Sequence, residues 1–223
     1  MNLFLLSLDR KQCVRWYADK HIVKMILELT QLLYGVWGAV EGEKWRQTAP
    51  EGSYKMTHIN HPIAVWMRGS KENYNFAASY AHPMLEEYTR RYRKIHACSR
   101  HIDWLVVHTP PSLPNLPLTQ MPQAMPDTYK LRDRVGTMED TVVAYRQYYA
   151  GEKIKEIKMT YTDTEWPEWL PLQDANNFKQ YKLRQKVQLE NEKFIKQQIK
   201  LAKKLRFQTP SKILTLHVVH PRT

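Results

Sequence analysis

The sequence predicts an all-α protein, and three observations carry that prediction. Apolar residues recur at three- and four-residue steps from Val14 to Val36, glycines and prolines fall between periodic stretches, and no run alternates apolar with polar residues before the tail. Read in order, the chain gives a compact helical domain over residues 1–160, containing a proline-rich connector, and a basic helical extension over residues 161–223.

Residues 3–7 suit a short strand or an extended lead-in. Asp9 is placed to N-cap a long helix that runs to about Gly38, with Val14, Ile22, Met25, Ile26, Leu29, Leu32, Leu33 and Val36 as its apolar stripe. Gly42, Pro50 and Gly52 mark a loop carrying Trp45 and Tyr54. After His61-Pro62 the helical pattern returns over residues 63–67. A long helix is then expected from Ser70, an N-cap, to about His96, kinked at Pro83. A short helix fits residues 100–107. Six prolines between residues 109 and 126 demand an extended connector. Helix resumes from about Met138 to Gly151, a residue suited to a left-handed C-terminal position. Residues 213–219 read as one short strand.

At 223 residues the chain suits one large domain with or without an extension, not two full domains. Lys and Arg number 34 against 22 Asp and Glu, a net charge of +12 that suits a protein meeting a polyanion or a basic protein of ribosomal type. Two thirds of that excess lies between residues 176 and 208, where ten Lys or Arg face only Glu190 and Glu192. There Leu183, Val187, Phe194, Leu201 and Leu205 follow steps of four and seven, the pattern of a helix docked on the domain or of an arm that tracks phosphates. Cys13 and Cys98 form no CxxC pair, so neither a disulfide framework nor a thiolate zinc site is supported. The apolar start of the chain is too short for a secretory signal or a membrane span. A soluble, cytoplasmic protein with no membrane partner is therefore expected, in the host cell if the chain is viral.

The candidate chemistry begins on the first helix. Asp19, Lys20, His21 and Lys24 stand among apolar neighbours, with Lys20 and Lys24 on one face and His21 leaning toward Lys24 and Glu28. Neighbouring ammonium groups make one another easier to deprotonate, which is how an amine becomes a nucleophile near neutral pH; a phosphate-binding or salt-bridged helix face is the alternative. Asp19 would steady a developing positive charge. His58 and His61, with His82 or His96, lack the spacing of a metal site, so no metal is expected and His61 is left as a phosphate or base contact. Arg68 and Asn73 flank a helix start, where free N–H groups favour phosphate. Arg90 and Arg91 interleave with Tyr88 and Tyr92, a mixture suited to nucleic acid. Arg146, Tyr148, Tyr149 and Lys153, with Trp166 and Trp169 beyond, either line a space for an extruded base or form a core layer.

Three blocks of this sequence resemble the phage pyrimidine-dimer DNA glycosylases of the endonuclease V type. They are Tyr17-Ala18-Asp19-Lys20-His21; His61-Pro62 with the helix ending in Glu86-Glu87-Tyr88-Thr89-Arg90-Arg91-Tyr92; and the run from Tyr145 to Lys153, similar to that family's aromatic ending. The blocks keep the family's order over roughly the first two thirds of the chain. The resemblance implies a compact helical fold without metal or cofactor, in which an amine attacks the sugar C1′, the base leaves, and the resulting imine permits strand cleavage. In that family the amine is the chain's own N-terminus after methionine removal, and a glutamate on the first helix is essential; Asp19 is the matching position. The sequence departs from that pattern at Asn2, whose size hinders removal of Met1. Either the Met1 or Asn2 amine serves, or Lys20 or Lys24 replaces it, or lyase chemistry is lost.

The resulting expectation is a DNA base-excision enzyme, a glycosylase with or without AP-lyase activity, acting on a damaged or modified pyrimidine flipped out of double-stranded DNA. The alternatives are a base-modifying enzyme on the same scaffold that leaves the strand intact, and a non-enzymatic nucleic-acid-binding protein.

Overall fold

The fold is taken from a computed structural model in which residues 2–131 and 136–206 are described. Met1 and the strand expected over residues 213–219 lie outside that range. The described residues are 58% helical and contain no strand, as the periodicity predicts. The helices are α1 (Arg10–Arg15), α2 (Asp19–Glu41), α3 (Pro62–Met67), α4 (Lys71–Ala78), α5 (Ala81–Tyr92), α6 (Ser99–Val107), α7 (Met138–Tyr148), α8 (Ile154–Glu156) and α9 (Ala175–Arg206).

The central element is α2, which packs against α3, α4, α5 and α6. Ile22, Ile26, Leu29, Leu32, Leu33 and Val36 are fully buried along it. This helix is long and apolar enough to cross a bilayer, but 72% of its most apolar window is buried inside the protein, as befits a core helix. Residues 3–6 form no regular element and are buried in the same core, with Leu3, Leu5 and Leu6 wholly covered.

The helix expected from Asp9 to Gly38 is two helices. Asp9 does cap, its side chain accepting from the Gln12 N–H at 2.7 Å, but α1 ends at Arg15. Ala18 is extended, and the Asp19 N–H donates to the Thr160 carbonyl at 2.9 Å. The break is held from outside the segment: the Arg91 guanidinium donates to the carbonyls of Arg15 and Tyr17 at 2.8 and 2.7 Å. Apolar periodicity continues on both sides of the break and therefore conceals it.

The helix expected from Ser70 to His96 also divides, at Ser79 and Tyr80. Ser70 caps α4 by accepting from the Asn73 N–H at 3.0 Å. Pro83 lies in the first turn of α5, where its missing N–H has no intrahelical partner to lose, so it opens a helix instead of kinking one. Arg93 ends α5 in the left-handed region at φ 54°.

Beyond α7 the chain passes through a π-helical turn, Tyr149–Lys153, into α8. Gly151 sits inside that turn and is not the left-handed terminator expected. Its role is close approach: a Cβ there would collide with the Tyr129 ring.

The chain divides after Asp174 into two units, Met1–Asp174 and Ala175–Thr223. The boundary expected at residue 160 is thus displaced. Residues 161–174 belong to the helical unit, where the Tyr161 hydroxyl donates to the Trp16 carbonyl at 3.2 Å and Trp169 packs edge-on to Trp16. The second unit, as described, is the single helix α9.

Candidate functional site

A cavity of about 580 Å³ opens beside the N-terminal half of α2. Lys20, Lys24 and Glu28 are spaced at four-residue steps, which puts all three on one helical face, and His21 stands beside them. Asn2 and Phe4 come from the buried lead-in, Met125 and Pro126 from the proline-rich connector, and Tyr148, Lys153 and Glu156 from the end of α7 and the turns after it. Three ammonium groups therefore face two carboxylates around apolar and aromatic walls.

Glu28 organises this space. Its Oε2 accepts from the Asn2 main-chain nitrogen at 2.7 Å, and its Oε1 lies 3.3 Å from the Lys24 ammonium. The carboxylate is buried and Lys24 is largely exposed, so the pair joins the cavity floor to its mouth. Asn2 is fixed in turn: its amide donates to the Ala124 carbonyl at 2.8 Å, and its Oδ1 accepts from the Tyr145 hydroxyl at 2.9 Å. Across the cavity the Lys153 ammonium pairs with Glu156 at 2.5 Å and sits 4.8 Å above the Tyr148 ring.

His21 is buried, its Nδ1 2.7 Å from the Tyr149 hydroxyl and its ring edge-on to Phe4. Burial, reinforced by the charges of Lys153 and Lys24, pushes its pKa down to about 3. The imidazole is therefore neutral at physiological pH, a polar group that adds no charge to the cavity. Tyr149 is wholly buried, and its hydroxyl also accepts from the Ala18 N–H at 2.8 Å.

Of the residues predicted from sequence, Asn2, Lys20, His21, Lys24, Tyr148 and Lys153 converge on this cavity. Asp19 does not line it. Its carboxylate accepts from Arg91 at 3.0 Å and from the Thr162 N–H and hydroxyl at 3.0 and 2.9 Å, tying the start of α2 to the 157–170 loop. Burial opposes its charge, but hydrogen bonds from Thr162, Thr160 and Arg91 outweigh that cost and hold its pKa below the ordinary value. Asp19 anchors the start of α2, and the carboxylates that line the cavity are Glu28 and Glu156.

Most of the predicted phosphate contacts are structural as well. The Arg91 side chain is completely buried and also binds Glu87 at 2.7 Å. Arg90 grips the same Glu87 through two nitrogens and reaches the Asp163 carbonyl. Arg146 stands against the Trp16 and Trp169 rings, 4.7 and 5.5 Å from their centroids, and donates to the Leu6 carbonyl. Asn73 is buried, bonded to Trp66 and Thr119. Arg68 donates to the Ile59 carbonyl, and the His61 ring accepts from the Ile63 N–H as the cap of α3. Among the described residues no three His, Cys, Asp or Glu side chains come together as a metal site; His82 pairs with Asp103 and His96 packs on Tyr88.

Glu28, Phe4, Met25, the connector residues, Glu156 and Ile157 are the lining residues that sequence reasoning missed. Glu28 did carry a signal: it is the lone acid between residues 20 and 40, four and eight residues beyond Lys24 and Lys20. Comparison with known proteins finds no matching family model, no curated protein and no solved structure of significant similarity.

Proposed function

We propose that this chain is a DNA base-excision enzyme whose cavity beside α2 receives an everted pyrimidine nucleotide. The observation that carries the reading is the buried Glu28 carboxylate, held between the Asn2 nitrogen and the Lys24 ammonium in a cavity rimmed by lysines. A carboxylate in that setting stabilises the cation that develops at C1′ as the glycosidic bond lengthens. Phe4 and Tyr148, with Met25 and Met125 also lining the cavity, suit an extruded base, and Lys20 and Lys153 suit its flanking phosphates. The cavity volume lies within the range of pockets that enclose small molecules.

For the lyase step, Lys24 is the amine. With Met1 attached, the Asn2 nitrogen is a peptide N–H and has no lone pair to offer. The Lys24 ammonium passes a proton to Glu28, and its nitrogen forms the bond to C1′ as the base departs with the glycosidic electron pair and takes that proton from Glu28; ring opening sends the C1′–O4′ electron pair and a proton from the bound nitrogen to O4′ and leaves a protonated imine. Loss of a C2′ proton then expels the 3′ phosphate.

Borohydride trapping on duplexes carrying damaged or modified pyrimidines tests this reading. A covalent adduct is expected with the unaltered chain and is expected to vanish in Lys24→Ala. An adduct that survives this change and maps to the first residues would move the nucleophile. Failure to release base from any such duplex would remove the function.

A further inference from the structure

The helix α9 carries a charge pattern that the cavity does not use. Lys179, Lys186, Lys193 and Lys200 recur every seven residues, so at 100° per residue they fall within about 60° of one another around the axis. They span about 32 Å along it. Lys196 and Lys203 lie beside them on the same side. All six side chains are exposed, and none forms an ion pair with a described residue. Lysines three, four and seven apart repel one another and weaken an isolated helix, a cost that disappears when an anionic partner lies along the row.

We infer that the lysine row of α9 is a second, sequence-independent contact for the phosphate backbone of duplex DNA, separate from the cavity that binds the target nucleotide. The inference extends the base-excision reading and rests on it for the identity of the polyanion. Regular spacing matters because DNA presents charge at short, even intervals, and each neutralised phosphate releases counterion. A lipid surface fits less well. The exposed Leu183, Val187, Phe194, Leu201, Ile195 and Ile199 spread over about 160° of the helix, but Arg184, Gln188, Asn191 and Gln198 fall inside that arc, so it lacks the continuous apolar face that an in-plane membrane helix presents. A second copy is also disfavoured, because a lysine directly precedes Val187, Phe194 and Leu201 and would bring ammonium groups from both copies to the seam.

The test uses the full chain and the quadruple variant K186Q/K193Q/K196Q/K200Q, with helicity of both checked by circular dichroism. Affinity for an undamaged 30-base-pair duplex is measured from 50 to 300 mM salt. The slope of log K against log salt should fall in magnitude by about 3 to 4 in the variant, near 0.9 for each phosphate that is no longer neutralised. An unchanged slope overturns the inference. So does tighter binding to anionic vesicles or to an acidic helical peptide than to the duplex at matched salt, abolished by V187S/F194S/L201S. Trapping on a lesion duplex at 50 mM salt separates this inference from the function proposed above. The quadruple variant should still form the adduct, whereas a changed slope without adduct in either protein would sink the excision chemistry and leave the lysine row standing.

Discussion

Lys24 Nζ stands 3.3 Å from Glu28 Oε1, one helical turn away, while the other oxygen of that carboxylate is held by the Asn2 nitrogen. An amine and an acid thus share one face of α2; the base-excision proposal makes them the reacting pair, and its first test is to remove the acid's charge while keeping its shape.

Glu28→Gln retains an acceptor for the Asn2 N–H and loses the negative charge. Base release should fall at least about 100-fold, the scale seen when a charge-stabilising group is lost from an active site. Single-turnover rates on a lesion duplex, read beside a melting curve that stays within a few degrees of the parent, check this. A rate that holds while the melting temperature drops would reassign Glu28 to structure.

Asp19→Asn should do the opposite. The asparagine keeps part of the Thr162 contact and loses the ion pair to Arg91, so trapping persists while urea stability declines. Arg91→Ala is the severe case. It strands Glu87 and Asp19 in buried surroundings and frees the carbonyls of Arg15 and Tyr17, a loss of about 3 to 5 kcal/mol. A cost under about 1 kcal/mol would contradict the anchoring role.

Acid should destabilise the protein well before its carboxylates titrate. The pKa of His21 is about 3 in the fold and near 6.5 in the unfolded chain, so the unfolded state binds the extra proton across that interval. Its contribution is fully present above pH 6.5 and is lost as pH falls toward 3, at up to about 1.4 kcal/mol per pH unit. Asp19 and Glu87, both depressed, add losses in the same direction below their ordinary values. Urea titrations from pH 7.5 to 4.5 should show stability falling from about pH 6, and His21→Gln should flatten that part of the curve.

Gly151→Ala drives a methyl into the Tyr129 ring. A loss of about 1 to 3 kcal/mol is expected, with displacement of the Tyr129 hydroxyl from Glu152. Combining it with Tyr129→Leu should cost clearly less than the two changes added together, because the clash is shared. Strict additivity would show that the ring is not what requires glycine.

The helical class and most apolar faces were legible because burial of Ile22, Leu29 and Leu33 enforces their periodicity. The breaks were not, because Arg91 holds the first one from 74 and 76 residues downstream and no local signal marks it. The candidate site was half legible. Lys20, His21 and Lys24 announce themselves as charge on an apolar helix, and Tyr148 and Lys153 as an aromatic-basic run. Asp19 misled because adjacency in sequence does not say which way a side chain turns: one residue before Lys20 faces a different loop. Arginine was over-read as phosphate-binding, since Arg90, Arg91 and Arg146 serve carbonyls, carboxylates and indole rings of the fold itself.

Asn2 is bonded to Ala124 and Tyr145, partners 122 and 143 positions away. The segment around Asn2 is thus settled only after the connector and α7, made far later in the chain, are in place. Such long-range closure slows folding and leaves the apolar residues 3–6 exposed on the nascent chain meanwhile. Changes at Ala124 or Tyr145 should therefore lower the yield of soluble protein more than their effect on the finished fold would suggest.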